Sequence, residues 1–282
     1  MTPATDIATT YGGRSPMTLR VMSFNIRYPE PTDGLDNWEN RRGQVADVLR
    51  HYQPDIAGLQ EPVIEQLRYL DEALPEYARF GVSRYGNEDE KFTAVYYRRD
   101  TVELQEAAAF WFSETPDVPA SSSWLIHKPY AVNWARLRHR ESGLMFALFN
   151  THFPYKADQA EARLRSAALL RERAQQSDDC VILTGDFNSP DGGEVYQILS
   201  QEFRDARVEA TERLGPTGTF HGFRGEALER RVDWILLRGP LTTERYVTIT
   251  DHQQGRYPSD HFPVMAELRI DTSRQTAPPA AF

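Results

Sequence analysis

CVILTGDFNSP, residues 180–190, decides how the rest of the chain is read. Cys180 through Leu183 form an apolar run of strand length, and Gly185, Asp186, Phe187 and Asn188 follow at its end. In an extended chain, side chains two positions apart point to the same side, so Asp186 and Asn188 project together. A carboxylate and an amide at a strand mouth suit a hard cation, or a water about to attack phosphorus. The same letters also spell a turn, since Gly, Asp, Asn, Ser and Pro are common turn formers. Alone, the stretch reads equally as turn or site.

Other runs break the tie. Strand-like residues 19–25 close on Asn25, 55–61 on Glu61, and 144–149 on Asn150-Thr151-His152. Toward the C-terminus come RVDWILL (231–237) and YPSDHFPV (257–264). Apolar strands that each end in Asn, Glu, His or Asp are what a metal-assisted hydrolase places at one rim of a β-sandwich.

These segments resemble the endonuclease/exonuclease/phosphatase superfamily, a group of DNases, abasic-site endonucleases, inositol polyphosphate phosphatases, sphingomyelinases and deadenylases. The matching motifs are SFNIR (23–27), GLQE (58–61), NTHF (150–153), TGDFN (184–188), RVDWI (231–235) and SDHFP (259–263). Each is weak singly; six in the family's order, over about residues 19–270, are specific. WENRR (38–42) and TFHGF (219–223) extend the likeness to small bacterial members. The resemblance implies a four-layer α/β sandwich, two packed and mostly antiparallel sheets flanked by helices, with the site at the top of both sheets.

Roles follow residue by residue. Glu61 leads as metal ligand: it ends a strand, Pro62 fixes its place, and magnesium needs only one or two protein carboxylates. The family's ligand Glu falls here too. Asn25 offers an amide to the metal or to a phosphoryl oxygen. Asp186 orients or deprotonates the attacking water, or else ligates the metal; Asn188 positions the same water. His261 is the second catalytic anchor, with Asp233 fixing its tautomer and raising its pKa. A surface pair of Asp233 with Arg231 is the plain alternative, but the apolar neighbours Val232, Trp234 and Ile235 argue for burial, and a buried Asp needs a partner. Asp260 is either a further metal ligand or an acceptor of backbone amides. His152 implies a donor to the pentavalent phosphorane and ranks abasic-site repair down, because that branch carries a Tyr-containing segment there. An Asp-His pair common after this His in relatives is replaced by Phe153-Pro154-Tyr155, which puts Tyr155 at the pocket. Asn150, Arg41 and His221 are further substrate contacts to test, against the plainer readings of a surface Arg pair and a turn-stabilising His. His51, His127, His139 and His252 read as solvated, and Glu88-Asp89-Glu90 as a solvated loop.

Composition sets limits. The chain has 282 residues, 40% hydrophobic and 26% charged, enough for one domain with a large core. The single Cys180 excludes an intramolecular disulfide framework and a cysteine zinc site. Residues 1–16 lack a basic start and an apolar run, and no stretch is long enough to span a bilayer, so a cytoplasmic location is expected. The net charge of −9 lowers the expectation of a long nucleic-acid partner, which needs concentrated basic charge. Residues 1–17 and 272–282 are expected to be disordered around a single domain at 18–271. The reading is a hydrolase using Mg2+ or Mn2+ on a phosphate mono- or diester, small or lipid-derived. Nuclease action on DNA or RNA is the alternative, and a non-catalytic binding module on the same fold ranks below it.

Overall fold

A computed structural model of the chain describes residues 17–271. Residues 1–16 and 272–282, where disordered ends are expected, lie outside the described residues. Thirteen strands and five α-helices alternate irregularly along it. Strands β1 (Thr18–Asn25), β2 (Ile56–Gln60), β3 (Tyr77–Phe80) and β4 (Val95–Arg98) come first, with helices α1 (Trp38–Tyr52) and α2 (Ile64–Ala73) between them. Next are β5 (Val102–Trp111), β6 (Ala131–His139), β7 (Met145–His152), α3 (Ala160–Gln175), β8 (Cys180–Asp186) and α4 (Glu194–Ser200). The last part holds β9 (Arg204–Asp205), α5 (Ala206–Glu209), β10 (Glu212–Leu214), β11 (Asp233–Arg238), β12 (Leu241–Thr248) and β13 (Val264–Ile270).

The strands make two sheets, of order β10-β12-β13-β1-β2-β4-β3 and β5-β6-β7-β8-β11-β9. Most neighbours are antiparallel; β1 with β2, β7 with β8 and β10 with β12 run parallel. Period-2 alternation explains the layers. In β1, Leu19 and Val21 join a core shared with Leu148, Ile182 and Ile235 of the second sheet. Met22 and Phe24 face the other way, onto Val45, Leu49 and Leu67 of α1 and α2. In β8, Val181 and Leu183 pack with Ala167 and Leu170 of α3 and Leu199 of α4. The order is therefore helices, sheet, sheet, helices, as the sequence reading expects.

The same parity places the chemistry. Counting by twos from the inter-sheet core, β1 ends at Asn25, β7 at His152 and β8 at Asp186, while β11 begins at Asp233. Register aligns them: His152 lies opposite Asp186, and Asp233 lies opposite Asp186 on its other side. Beneath this rim the sheets meet through polar groups. Asn150 Nδ2 donates to Leu59 O at 2.9 Å and Ala94 O at 3.0 Å, and Asn150 Oδ1 accepts from Gln60 at 2.7 Å and Thr184 at 3.1 Å. Gly58 makes room: a Cβ there would lie 2.3 Å from Thr184 Oγ1 and 2.6 Å from Asn150 Oδ1. No helix among the described residues is long and apolar enough to cross a membrane.

Candidate active site

At this rim a cavity of ≈ 420 Å³ opens, lined by Asn25, Glu61, His152, Tyr155, Asp186, Asn188, Asp260 and His261 together with Arg27, Tyr28, Lys91 and Arg230. Eight of the residues singled out in the sequence thus share one wall. Asp233 sits just behind it, bonded to His261.

Asp186 is at the centre and almost fully buried. Its Oδ2 accepts from Asn25 Nδ2 at 3.0 Å and lies 3.4 Å from His152 Nε2 and 3.8 Å from His261 Nε2. Its Oδ1 accepts from the Asn188 amide N–H at 2.9 Å. Burial raises its pKa against the opposing pull of the two imidazoles. The Asn188 side chain donates to Phe153 O at 2.9 Å, which ties the turn after β8 to the end of β7.

His261 is held from behind. Its Nδ1 is 2.9 Å from Asp233 Oδ2. Burial alone would lower its pKa, but the carboxylates of Asp233, Asp186 and Asp260 outweigh it and raise the value to about 10. The imidazolium form therefore persists through neutral pH. Ser259 anchors the loop, with Oγ donating to Asn25 O at 2.6 Å and accepting from His261 N–H at 3.3 Å. His152 differs: burial dominates and lowers its pKa, so at neutral pH it is the uncharged partner.

Glu61 is buried, yet ionised. Burial would raise its pKa, but Lys91 and His152 bring it down to about 2. Lys91 Nζ donates to Oε1 at 2.8 Å, and the Tyr28 amide donates to Oε2 at 3.3 Å. Glu61 adopts φ 72°, and Arg27 and Asn188 are also left-handed at 56° and 47°. A non-glycine residue in that region costs about 1–3 kcal/mol and persists where surrounding bonds hold it, a pattern that clusters at functional sites. Arg27 Nη1 faces Asp260 Oδ2 at 3.8 Å while its other nitrogens bind Asp33.

Two clusters compete as a metal site. Ligand atoms of Asp186, Asp233 and His261 fall within 4.8 Å of one another. A proton shared between His261 Nδ1 and Asp233 fits that pair better than a cation, although Asp233 Oδ1 is buried without a hydrogen-bond partner. The other set is Glu61, Asn25 and Asp260, which line the same cavity, with Asn25 Oδ1 also accepting from the Arg27 N–H at 3.0 Å. An ionised, buried Glu among oxygen donors, with no thiolate beside it, fits a hard divalent cation.

Three expected contacts are not in the cavity wall. Arg41 is 1% exposed, and its guanidinium donates to the carbonyls of Ile26, Arg27, Tyr28, Asp36 and Pro258. It stitches the loop after β1 to the loop before β13, so a direct phosphate contact is corrected to a supporting role. Asn150 is the inter-sheet amide described above, with no exposed surface. His221 stacks on Phe262 at 4.0 Å, and its Nδ1 accepts from Gly225 N–H at 3.2 Å. Its backbone N–H donates to Asp260 O at 2.9 Å, so the TFHGF segment buttresses the loop that carries Asp260 and His261. Burial lowers the His221 pKa to about 4 and keeps it neutral. His139, read as solvated, is buried and bonded to Ser142.

Sequence reasoning missed Lys91, Arg27 and Arg230. Lys91 follows the acidic run 88–90, which hides it as one more loop charge. Arg27 stands inside SFNIR, where its placement two residues past Asn25 was a usable signal.

Comparisons with known proteins agree with the fold. A structure of an endonuclease/exonuclease/phosphatase family protein from Bacteroides thetaiotaomicron is similar, with TM-score 0.86, 33% identity, and coverage of 90% of this chain and 98% of that one. So is a mannosyl-6-phosphatase of Bacteroides thetaiotaomicron, with TM-score 0.84, 33% identity, and coverage of 89% and 100%. Nocturnin of Drosophila melanogaster is 24% identical over 87% of this chain, which spans 44% of Nocturnin's length. The model of the Endonuclease/Exonuclease/phosphatase family matches residues 22–261, and the chain belongs to that family.

Proposed function

We propose that this chain is a divalent-metal-dependent phosphoesterase that hydrolyses a small or lipid-derived phosphate ester by direct attack of water. One observation carries the reading: an ionised Glu61, a buried Asp186 and an Asp233-backed His261 line one cavity together with the cations Arg27 and Lys91. The similarity to a mannosyl-6-phosphatase, over nearly the full length of both chains, supports a small phosphate ester.

Glu61, with Asn25 and Asp260, would hold the cation; Mg2+ or Mn2+ suits these oxygens. When bound, such an ion polarises a phosphoryl oxygen and offsets charge on the leaving oxygen. The chain's own residues do the rest. Asp186 accepts a proton from the attacking water, and Asn188 holds the backbone that aims its carboxylate. The water oxygen forms the new bond to phosphorus in line with the ester bond that breaks. The Nε2–H of the His261 imidazolium donates to the charge growing on the equatorial oxygens, and Asp233, accepting from Nδ1–H, keeps the ring protonated. Neutral His152 supplies a further hydrogen bond, while Arg27 neutralises the phosphoryl group. No covalent intermediate is needed.

A nuclease is the second reading, favoured by the basic side chains Arg27, Lys91 and Arg230 around the cavity. The test is hydrolysis, with Mg2+ or Mn2+, of sugar and inositol phosphates, sphingomyelin, nucleotides, and single- and double-stranded oligonucleotides. The proposal expects turnover of a small or lipid ester, abolished in Asp186→Asn. Preferential cleavage of oligonucleotides would replace it with the nuclease reading.

A further inference from the structure

Beside the catalytic cavity lies a second hollow of ≈ 390 Å³ whose wall includes Arg84, Lys91, Lys128, Tyr130, Tyr155 and Lys156. Glu61, His152, Lys91, Tyr28 and Tyr155 line both hollows, so the two are adjoining compartments of one cleft. Arg84 is 8% exposed, yet among the described residues it makes no ion pair, and its Nε is buried without a hydrogen-bond partner. Its guanidinium rests over the Tyr130 ring, 4.7 Å from the centroid. A buried guanidinium with unused donors is expensive unless something accepts from it. Among the described residues no carboxylate comes within ion-pair distance of it: Glu61 is taken by Lys91, and Glu90, which feels the Arg84 charge from farther off, by Lys128. Lys156 is exposed and adds a cation with no ion-pair partner among the described residues. The balance of the wall is positive, in a chain whose net charge is −9.

We propose that this hollow is an anion subsite that receives a second phosphate of the substrate, so that the enzyme prefers small bisphosphorylated molecules to their monophosphates. Arg84 donates to that phosphate from the floor, and Lys128 and Lys156 close over it from the rim. The word substrate rests on the phosphoesterase reading; the anion site itself does not.

Two experiments separate these claims. In the first, inorganic phosphate is titrated calorimetrically into the full chain in EDTA. The catalytic compartment also holds the cations Arg27, Lys91 and Arg230, so the variants Arg84→Gln and Lys156→Ala, whose side chains line the second hollow and not the first, assign the binding. The expected result is saturable binding weakened at least about tenfold in Arg84→Gln, the scale of a lost charge-assisted hydrogen bond, and less in Lys156→Ala. Absence of phosphate binding, or binding unchanged in both variants, overturns the subsite. Should Arg84→Gln fail to fold, as judged by thermal melting, Lys156→Ala and Lys128→Ala decide the point. In the second, kcat/KM is compared for fructose 1,6-bisphosphate against fructose 6-phosphate, and for adenosine 3′,5′-bisphosphate against adenosine 5′-monophosphate. The bisphosphate advantage is expected to be about tenfold or more and to shrink toward one in Arg84→Gln, through KM. No advantage for either pair, or a preference for oligonucleotides, overturns the bisphosphate assignment. Arg84-dependent phosphate binding without hydrolysis of any ester would keep the anion site and defeat the phosphoesterase reading.

Discussion

Replacing Asp233 by Asn should move the alkaline limit of activity. The Asp233 carboxylate sits 2.9 Å from His261 Nδ1, and with Asp186 and Asp260 it raises the imidazole pKa to about 10. Against an ordinary histidine near ~6.5, that gap corresponds to roughly 4–5 kcal/mol of preference for the imidazolium. Asn keeps the shape and loses the charge that acts at shortest range. Burial then regains weight, and the pKa should fall to near or below the ordinary value. If the imidazolium is the working form, native kcat/KM stays level through pH 8 and declines only toward about 10. The variant should instead decline from about pH 6–7, and at pH 8 this effect alone should cost about tenfold or more. The assay is kcat/KM against pH with bis-p-nitrophenyl phosphate, beside an NMR titration of the His261 ring. Superimposable profiles for the two proteins, or a native His261 titrating near 6.5, would refute the reasoning. Stability should follow the same sign. A raised histidine pKa stabilises the fold fully below the unfolded value of about 6.5, and that contribution is lost as pH rises through about 10. The native chain should therefore lose more melting temperature over that window than Asp233→Asn.

Further outcomes are specific. Asp186→Asn keeps the side-chain volume and should fold normally, whereas His261→Ala also loses the ring contact with Phe220 and the partner of Asp233 and should melt at a lower temperature; each should lower kcat by about 100- to 1,000-fold, and native circular dichroism with near-native turnover would exclude their roles. Gly58→Ala should destabilise by about 1–3 kcal/mol, because the new methyl meets Thr184 and Asn150 at the sheet junction; an unchanged denaturant midpoint would show that the junction gives way. Asp205→Ala should cost about 3 kcal/mol, since it leaves the buried Arg231 guanidinium, whose Nη1 bonds Asp205 at 2.9 Å, with only the longer contact to Asp191 at 3.3 Å; equilibrium denaturation decides it.

Much of the site was legible because strand parity is legible. Asn25, Asp186 and Asp233 end or open apolar runs, and a period of two sends each to the face its apolar neighbours bury. What stayed hidden depends on cross-strand partners. Arg41 looks like a surface charge in the first turn of a helix; its burial comes from carbonyls of two loops distant in sequence, such as Pro258 O at 3.0 Å. Arg231 pairs with Asp205, not with Asp233, because β9 inserts a two-residue edge strand that no periodicity marks. β5 runs on to Trp111 past a register shift between Leu104 and Glu106, and its Glu-Ala-Ala-Ala stretch lacks alternation. Lys91 and Arg84 sit in loops, where only the fold shows that they face a cleft.

The central claim is that Glu61 anchors a divalent cation on which hydrolysis depends. Calorimetric titration of Mg2+ and Mn2+ into the native chain and into Glu61→Ala, with phosphoesterase activity measured on the same samples with and without EDTA, tests it directly. The account predicts binding and hydrolysis in the native chain, both lost together in the variant, with hydrolysis suppressed by EDTA. Undiminished metal binding in Glu61→Ala, or hydrolysis that persists in EDTA, would contradict it.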